Sequence, residues 1–172
     1  MRAFASGTNR SLNFTMINIR NYQEEDAEET WLLFYNTIHT INIRDYTSDQ
    51  VSAWAPDNPD MSVWKSKMSS INPFVAEMND VIVGYSDLQS SGLIDHFFCH
   101  QNYQSLGIGK VLMSHIFEQG KDRGIHRFCS EVSITAKPFY EHFGFLVVKE
   151  QIFEVRGQNL TYYIMEKKLT SS

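Results

Sequence analysis

Cysteine, glycine and long apolar runs are all scarce in this chain of 172 residues. The two cysteines, Cys99 and Cys129, are not spaced as CxxC, which argues against a disulfide framework and favours a reduced, cytoplasmic setting. No apolar stretch approaches the roughly 20 residues of a transmembrane helix, so we expect no membrane association. The opening MRAFASGTNRSLNF lacks the apolar core of a secretion signal. We therefore expect residues 1–15 to form a flexible extension and residues 16–172 a single domain.

The chain also lacks a strong excess of charge of either sign. Fifteen basic residues stand against 20 acidic ones, for a formal net charge of -5, which gives no support to nucleic-acid binding. The histidines and cysteines between residues 96 and 142 show no recognised spacing of metal ligands, so we expect no metal cofactor. A hydrophobic content of 42% in a chain of this length is typical of a globular domain with a core of its own.

Hydrophobic periodicity predicts a mixed α+β order. A first strand is followed by three helical stretches, of which the second is capped by Thr47 or Ser48. After Pro73 the pattern changes to strands, interrupted by one long helix and one short helix, and the chain finishes as a hairpin. The predicted strands cover residues 17–22, 74–78, 81–88, 93–99 and 127–132 together with the two arms of the final hairpin.

The segment Tyr103–Leu112, YQSLGIGKVL, places two of the nine glycines directly before an apolar helical run. It is not a P-loop, because the Gly109-Lys110 pair lacks a following Ser or Thr and no glycine stands five positions earlier. It is not a dinucleotide fingerprint, because Leu112 occupies the third glycine position. The remaining pattern, Q-x-x-G-x-G over residues 104–109, can present backbone amides to an anion at a helix N-terminus. Taken alone, it is equally consistent with an ordinary strand-to-helix turn.

A second motif, SEVSITAKPFYEHFGF over residues 130–145, joins a strand to a short helix that ends in Gly-Phe. In this order and separation the two motifs resemble those of the GNAT superfamily of N-acetyltransferases, which carry R/Q-x-x-G-x-G/A after the fourth strand and FYE-x-x-GF after the fifth. The second motif is also similar to that of a bacterial subgroup of small, largely uncharacterised acetyltransferases. The resemblance implies the GNAT (acyl-CoA N-acyltransferase) fold, a mixed central sheet of about six to seven strands flanked by helices.

The resemblance also implies that acetyl-CoA is the co-substrate. Its pyrophosphate would lie on the backbone amides of the glycine loop, and its pantetheine arm would lie along the main chain of the fourth strand. The alternatives are an ordinary core strand at residues 97–99 and a helix-capping role for Ser133. The expected cofactor-binding residues are Phe97, Phe98, Cys99, Gln104, Ser105, Leu106, Gly107, Ile108, Gly109, Lys110, Ser133 and Phe139.

Two residues are the candidate catalytic groups. Tyr140 of the FYE motif is implied as the general acid for the departing thiolate, and a phenol is protonated at neutral pH. The amine must lose a proton before it attacks, and Asp95 within LIDHFF is the candidate base, with Glu131 and His96 as rivals. The alternatives are a core tyrosine and an acid that faces solvent or pairs with a cation.

Substrate recognition is expected from the N-terminal helices and the fifth strand, at Trp31, Tyr35, Trp54 and Glu131. We predict an N-acetyltransferase that moves acetyl from acetyl-CoA to a primary amine by direct attack. The acceptor is a small molecule or a peptide, and the protein is a monomer or a homodimer. One alternative is a catalytically silent CoA-binding or sensor module of the same fold, and another is an unrelated α+β interaction domain without affinity for CoA.

Overall fold

The computed structural model describes residues 16–170, so the extension expected over residues 1–15 lies outside the described residues. The described part of the chain contains five helices, α1 (Ala27–Thr40), α2 (Ser48–Trp54), α3 (Met61–Ile71), α4 (Ile108–Asp122) and α5 (Lys137–His142). Its strands are β1 (Asn18–Asn21), β2 (Phe74–Met78), β3 (Val81–Ser86), β4 (Leu93–Ile94), β5 (Phe97–Cys99), β6 (Arg127–Ser133), β7 (Leu146–Val155) and β8 (Gln158–Lys168).

The strands form two four-stranded sheets. One sheet has the order β1-β2-β3-β5 and the other has the order β4-β6-β8-β7. Every neighbouring pair is antiparallel except β4 and β6, which run parallel. The predicted α+β class is confirmed, and the strand β6 stands where the sequence predicts it.

Local sequence signals set the helix boundaries. Thr47, and not Ser48, caps α2: its Oγ1 accepts from the Gln50 amide at 3.1 Å, and the Gln50 side chain accepts from the Thr47 amide at 2.8 Å. This reciprocal pair is a capping box. Asp60 accepts from an amide in the first turn of α3 in the same way. Helices α2 and α3 therefore begin directly after a polar side chain that caps them.

Three apolar clusters hold the helices on the sheets, and the smallest packs Ile108 and Leu112 of α4 against β2 and β3. The first packs α1, α2 and α3 against β2 and β3, with Leu33, Ile38 and Met68 fully buried. The second packs α4 and α5 against β6 and includes Met113 and Phe128. Among residues 16–170, no helix is both long and apolar enough to cross a membrane.

The predicted continuous strand over residues 93–99 is wrong. The strand is interrupted at Asp95 and His96. As a result, β4 pairs with β6 in one sheet and β5 pairs with β3 in the other. The buried carboxylate of Asp87, just after β3, causes the break, because its Oδ1 accepts from the Asp95 amide at 3.0 Å and the His96 amide at 2.7 Å. Ser86 Oγ donates to the His96 carbonyl at 2.7 Å. The sheets consequently separate beyond this point, and a cleft opens between β5 and β6.

Candidate active site

A cavity of about 360 Å³ occupies this cleft. Its walls come from both sheets and from helices α1, α2 and α5. Most of the lining side chains are aromatic or apolar, as is usual for sites that bind small molecules. Among the predicted site residues, those on the cavity wall are Trp54, Asp95, Phe97, Phe98, Cys99, Gln104, Glu131, Ser133, Phe139 and Tyr140.

The main chain of β5 presents unpaired groups to the cleft. The amide of His100 donates to Val83, and the amide of Asp87 donates to the carbonyl of His96, so the even-numbered residues of this segment pair with β3. By the alternation of an antiparallel ladder, the N–H and C=O groups of Phe97 and Cys99 point away from β3. The Cys99 carbonyl is already occupied, because it accepts from Thr37 Oγ1 at 2.9 Å and from the Gln104 side chain at 3.0 Å. The groups left for a ligand are therefore those of Phe97 and the Cys99 amide. The expectation of a main-chain role thus fits Phe97 and Cys99. It does not fit Phe98, whose backbone groups face β3.

The glycine loop leads into α4 with its first amides uncapped. Gly107 adopts a left-handed conformation, with a φ of 85°, and no side chain caps the helix. The first helical hydrogen bond runs from the Val111 amide to the Gly107 carbonyl, which leaves the preceding amides without helical partners. Ser105, Leu106 and Lys110 are exposed beside them. Residues 105–110 do not line the cavity and lie at the N-terminal end of α4.

Gln104 and Gly109 connect the loop to the rest of the site. The Gln104 side chain donates to the carbonyls of Cys99 and His100 at 3.0 and 3.1 Å, which ties the loop to the end of β5. A Cβ at Gly109 would lie 2.8 Å from a ring carbon of Phe139. Close packing of α4 on α5 therefore requires this glycine, whereas the sequence suggested that it admits a phosphate.

Tyr140 is buried on α5, and its hydroxyl is part of a short chain of hydrogen bonds. Ser130 Oγ donates to the Ile94 carbonyl at 2.8 Å, so its oxygen accepts from the Tyr140 hydroxyl, which lies 3.2 Å away. Burial raises the pKa of Tyr140, against a smaller lowering effect from Ser130. The phenol is therefore fully protonated at neutral pH and holds its proton at the cavity wall.

Cys99 shows how strongly this cavity disfavours a thiolate. Its thiol belongs to the same wall as Tyr140, and burial raises its pKa to about 12. No compensating charge or hydrogen bond opposes this effect. A thiolate held in the same surroundings would be a much stronger base than one in water.

The three candidate bases have different surroundings. The Asp95 carboxylate, on the cavity wall, forms an ion pair with Lys67 of α3. His96 is half-buried, burial of its ring lowers its pKa to about 4, and its Nδ1 lies 3.0 Å from the Tyr85 hydroxyl. Glu131 is exposed on β6 and forms no ion pair with any described residue. The structure thus disfavours His96 as a base and leaves two carboxylates at the cavity.

Two predicted substrate residues lie away from the cavity wall. Trp31 packs against Trp64 with ring centroids 5.0 Å apart, within the α1–α3 cluster. The Tyr35 hydroxyl donates to Asp57 at 2.6 Å, on the outer side of α1. Both side chains contact other N-terminal elements, and neither lines the cavity. Trp54 of α2 does line it.

Ser133 lines the cavity but already has polar partners. Its Oγ accepts from the Ala136 amide at 3.1 Å, just before α5, and from the Asn42 side chain at 3.4 Å. These contacts agree with the alternative role of Ser133, in which its hydroxyl accepts from an amide at the start of the following helix. No group of three or more potential metal ligands comes together within residues 16–170.

Sequence reasoning missed Asp87 and Ser130. An acid directly after a buried strand gives no sign that it folds back onto amides eight and nine residues later. A serine within a strand gives no sign of a tyrosine on the following helix. Only the motif spacing between Ser130 and Tyr140, a strand followed by a short helix, offered a hint of this second contact.

These elements, in this order around a split strand, match the model of the acetyltransferase (GNAT) domain family, which aligns with residues 42–169. The chain therefore belongs to the GNAT acetyltransferase family. It is 32% identical over 152 residues to the uncharacterised N-acetyltransferase YafP of Escherichia coli K12, covering 88% of this chain and 96% of that protein.

Solved structures agree on the fold. A GCN5-related N-acetyltransferase from Rhodopseudomonas palustris superposes with a TM-score of 0.86 at 24% identity, covering 90% of this chain and 97% of that one. The structure of yncA from Salmonella typhimurium with its cofactor acetyl-CoA gives a TM-score of 0.67 at 16% identity, covering 91% and 95%. The GNAT fold implied by the two sequence motifs is confirmed.

Proposed function

We propose that the protein transfers acetyl from acetyl-CoA to a primary amine by direct attack. The observation that carries the proposal is the split strand, which opens a cleft with the main chain of β5 on one wall and the buried hydroxyl of Tyr140 on another. When bound, acetyl-CoA supplies the activated acetyl group and a thiol leaving group. The solved yncA structure holds acetyl-CoA within a fold of this kind.

The residues of the cleft fit this co-substrate. The free amides at the start of α4 suit a pyrophosphate, because a helix N-terminus favours negative charge. The main-chain groups of Phe97 and the amide of Cys99 suit the amides of a pantetheine arm lying along β5 as an added strand, whereas the Cys99 carbonyl already accepts from Thr37 and Gln104. In this proposal one amide of this edge polarises the thioester carbonyl, as oxyanion-hole donors do.

Tyr140 serves as the proton donor to the leaving sulfur. Burial raises the pKa of Tyr140, so the phenol keeps its proton at neutral pH until a stronger base arrives. A leaving thiolate held in this apolar wall would be a stronger base than one in water, because burial disfavours its charge, and it can therefore take the proton. Ser130 Oγ then remains beside the phenol oxygen, where its hydrogen can turn to stabilise the phenolate until a proton returns.

Asp95 accepts the proton that the amine loses, directly or through a water molecule. As nitrogen attacks the carbonyl carbon, the carbon–sulfur bond breaks, one proton leaves nitrogen for Asp95 and one leaves Tyr140 for sulfur. The products are an N-acetyl amine and a free thiol. Lys67 holds the carboxylate at the cavity wall through their ion pair.

Calorimetric titration with acetyl-CoA tests the binding half of the proposal. Lys110 and Lys121 are both exposed on α4, one in its first turn and the other in its last. Lys110→Glu should weaken binding by about tenfold or more, because it places negative charge beside the pyrophosphate. Lys121→Glu makes the same charge change far from the loop and should leave binding unchanged. Equal effects of the two variants, or no binding by the folded wild-type protein, would contradict the proposed cofactor site.

Release of free thiol from acetyl-CoA in the presence of a panel of amines tests the chemical half. Tyr140→Phe should lower kcat by about 10²-fold or more, the usual contribution of general acid catalysis, while acetyl-CoA still binds. Tyr163→Phe removes a hydroxyl that does not line the cavity, and it should behave as wild type. A silent CoA-binding module predicts binding without thiol release from any amine, so the same assay separates the two hypotheses.

A further inference from the structure

Glu131 lies on the acceptor side of the cleft. Side chains alternate along β6, and Ser130 points to the face that α5 covers, where it meets Tyr140. Glu131, the next residue, is exposed on the opposite face while still lining the cavity. The cavity therefore has the proton donor to the leaving group on one side of β6 and a carboxylate on the other.

The electrostatics of the cavity wall favour a cation. Two carboxylates, Asp95 and Glu131, stand among its lining residues, and none of the described lining residues is a lysine or an arginine. Asp95 is compensated by Lys67 of α3. Glu131 has no such partner within residues 16–170, so its charge is available to a ligand.

Aromatic residues line the same cavity as this carboxylate. Tyr162 and Phe153, from the β7–β8 hairpin, line the same cavity with their ring centroids 5.1 Å apart, and Trp54 lines it from α2. Burial, and then the negative charge of Glu131, raise the pKa of Tyr162, as expected for two neighbouring groups. The Tyr162 hydroxyl donates to Gln151 at 2.6 Å, which fixes its ring in place. An ammonium group next to Glu131 would have aromatic faces beside it.

We infer that the acceptor is a cationic amine with an aromatic or apolar body and no carboxylate beside the amino group, and that Glu131 selects it. This inference rests on the proposed acetyl transfer. The carboxylate of Glu131 attracts the protonated amine into the cleft. The ammonium group first releases one proton to bulk water, and the neutral amine then gives a second proton to Asp95 as it attacks the thioester. An α-amino acid would bring its own carboxylate against Glu131, and no lysine or arginine of the described wall is present to compensate it.

Three probes of one shape test the inference: phenethylamine, phenylalaninamide and phenylalanine. With the wild-type protein, kcat/KM for the first two should exceed that for phenylalanine by about tenfold or more, the size of one well-placed charge contact. Glu131→Gln should raise KM for phenethylamine by about three- to tenfold, with little change in kcat, and should reduce the discrimination against phenylalanine. Glu150→Gln, an equal charge change on β7 outside the cavity wall, should leave the ratio unchanged.

The outcomes separate this inference from the proposed function. Acetylation of phenylalanine as fast as of phenylalaninamide would overturn the inference and leave acetyl transfer standing. An unchanged ratio in Glu131→Gln, or transfer only to amines without an apolar body, would overturn it as well. Thiol release from none of the amines, with acetyl-CoA bound, would overturn the proposed function, and the inference would fall with it.

Discussion

Replacing Asp87 by alanine removes the acceptor that ties the break between β4 and β5 to the end of β3. The amides of Asp95 and His96 would then lose their partner in a half-buried position, and Gln89 would lose its 2.6 Å hydrogen bond to the same carboxylate. Hydrogen bonds to a charged group contribute about 1.5–3 kcal/mol each. Because the half-buried Gln89 side chain can turn to water, we count only the two main-chain hydrogen bonds. We expect the free energy of unfolding to fall by about 3–6 kcal/mol, and Tm by about 6–24 °C.

Asp87→Asn separates the acceptor from the charge. One amide oxygen can still accept from both backbone amides, and the Gln89 side chain can turn to present its own oxygen to the new NH₂ group. Binding of acetyl-CoA should therefore survive in Asp87→Asn and weaken in Asp87→Ala, because only the latter frees the main chain that positions Phe97 and Cys99.

The same pair of variants gives a pH signature. Burial raises the pKa of Asp87 from 3.8 to about 6, against the lowering effect of its hydrogen bonds to His96 and Gln89. The folded protein therefore holds this proton more tightly than the unfolded chain does. The resulting stability, about 3 kcal/mol, is present below pH 3.8 and is lost as pH rises through about 6. Asp87→Asn should remove this component from the pH dependence of unfolding.

Urea unfolding between pH 4 and 7.5, combined with calorimetric titration of acetyl-CoA, measures both effects. Asp122→Ala, which truncates an exposed carboxylate in the last turn of α4, serves as the matched control and should shift unfolding little. If Asp87→Ala unfolded at the same urea concentration as wild type and bound acetyl-CoA equally well, Asp87 would not be what holds the strand apart.

Three further predictions concern the surroundings of the cleft. Gly109→Ala should lower the free energy of unfolding by about 1–3 kcal/mol in urea, because its Cβ meets the Phe139 ring; an unchanged midpoint would show that the ring moves freely. Tyr46→Phe should cost about 1–3 kcal/mol in the same assay, since the hydroxyl donates to Thr161 at 2.7 Å and accepts from a main-chain amide at 2.9 Å; a loss below 0.5 kcal/mol would contradict their importance. Cys99 should resist iodoacetamide at pH 8, where a pKa of about 12 leaves about one thiol in 10⁴ ionised; rapid alkylation seen by mass spectrometry would refute the burial argument.

The sequence was most informative where a residue acts through its neighbours along the chain. The capping box at Thr47 and the helix that carries Tyr140 depend on contacts within a few residues, so local patterns predicted them. The two motifs around Gly107 and Tyr140 were sufficient to identify the family. The same patterns misplaced Trp31 and Tyr35, because an aromatic residue on an amphipathic helix has the same spacing whether it packs against another helix or lines a cavity.

The strand break shows the opposite case. LIDHFFC reads as one strand because each of its residues suits an extended conformation, and nothing within the segment specifies a break. The break depends on Asp87, which is distant along the chain and becomes an acceptor for two consecutive amides only once β3 and β5 have paired.

The amino-acid sequence by itself thus determined the order of the elements, the glycine loop and the family to which the chain belongs. The tertiary structure alone decided where the sheet separates, which main-chain groups point away from β3 and which carboxylates line the cavity. The physical reason is that helix caps, turns and periodicity depend on residues close together in the chain. The partners of a buried acceptor, and the environment of each strand face, depend instead on the elements that pack against them.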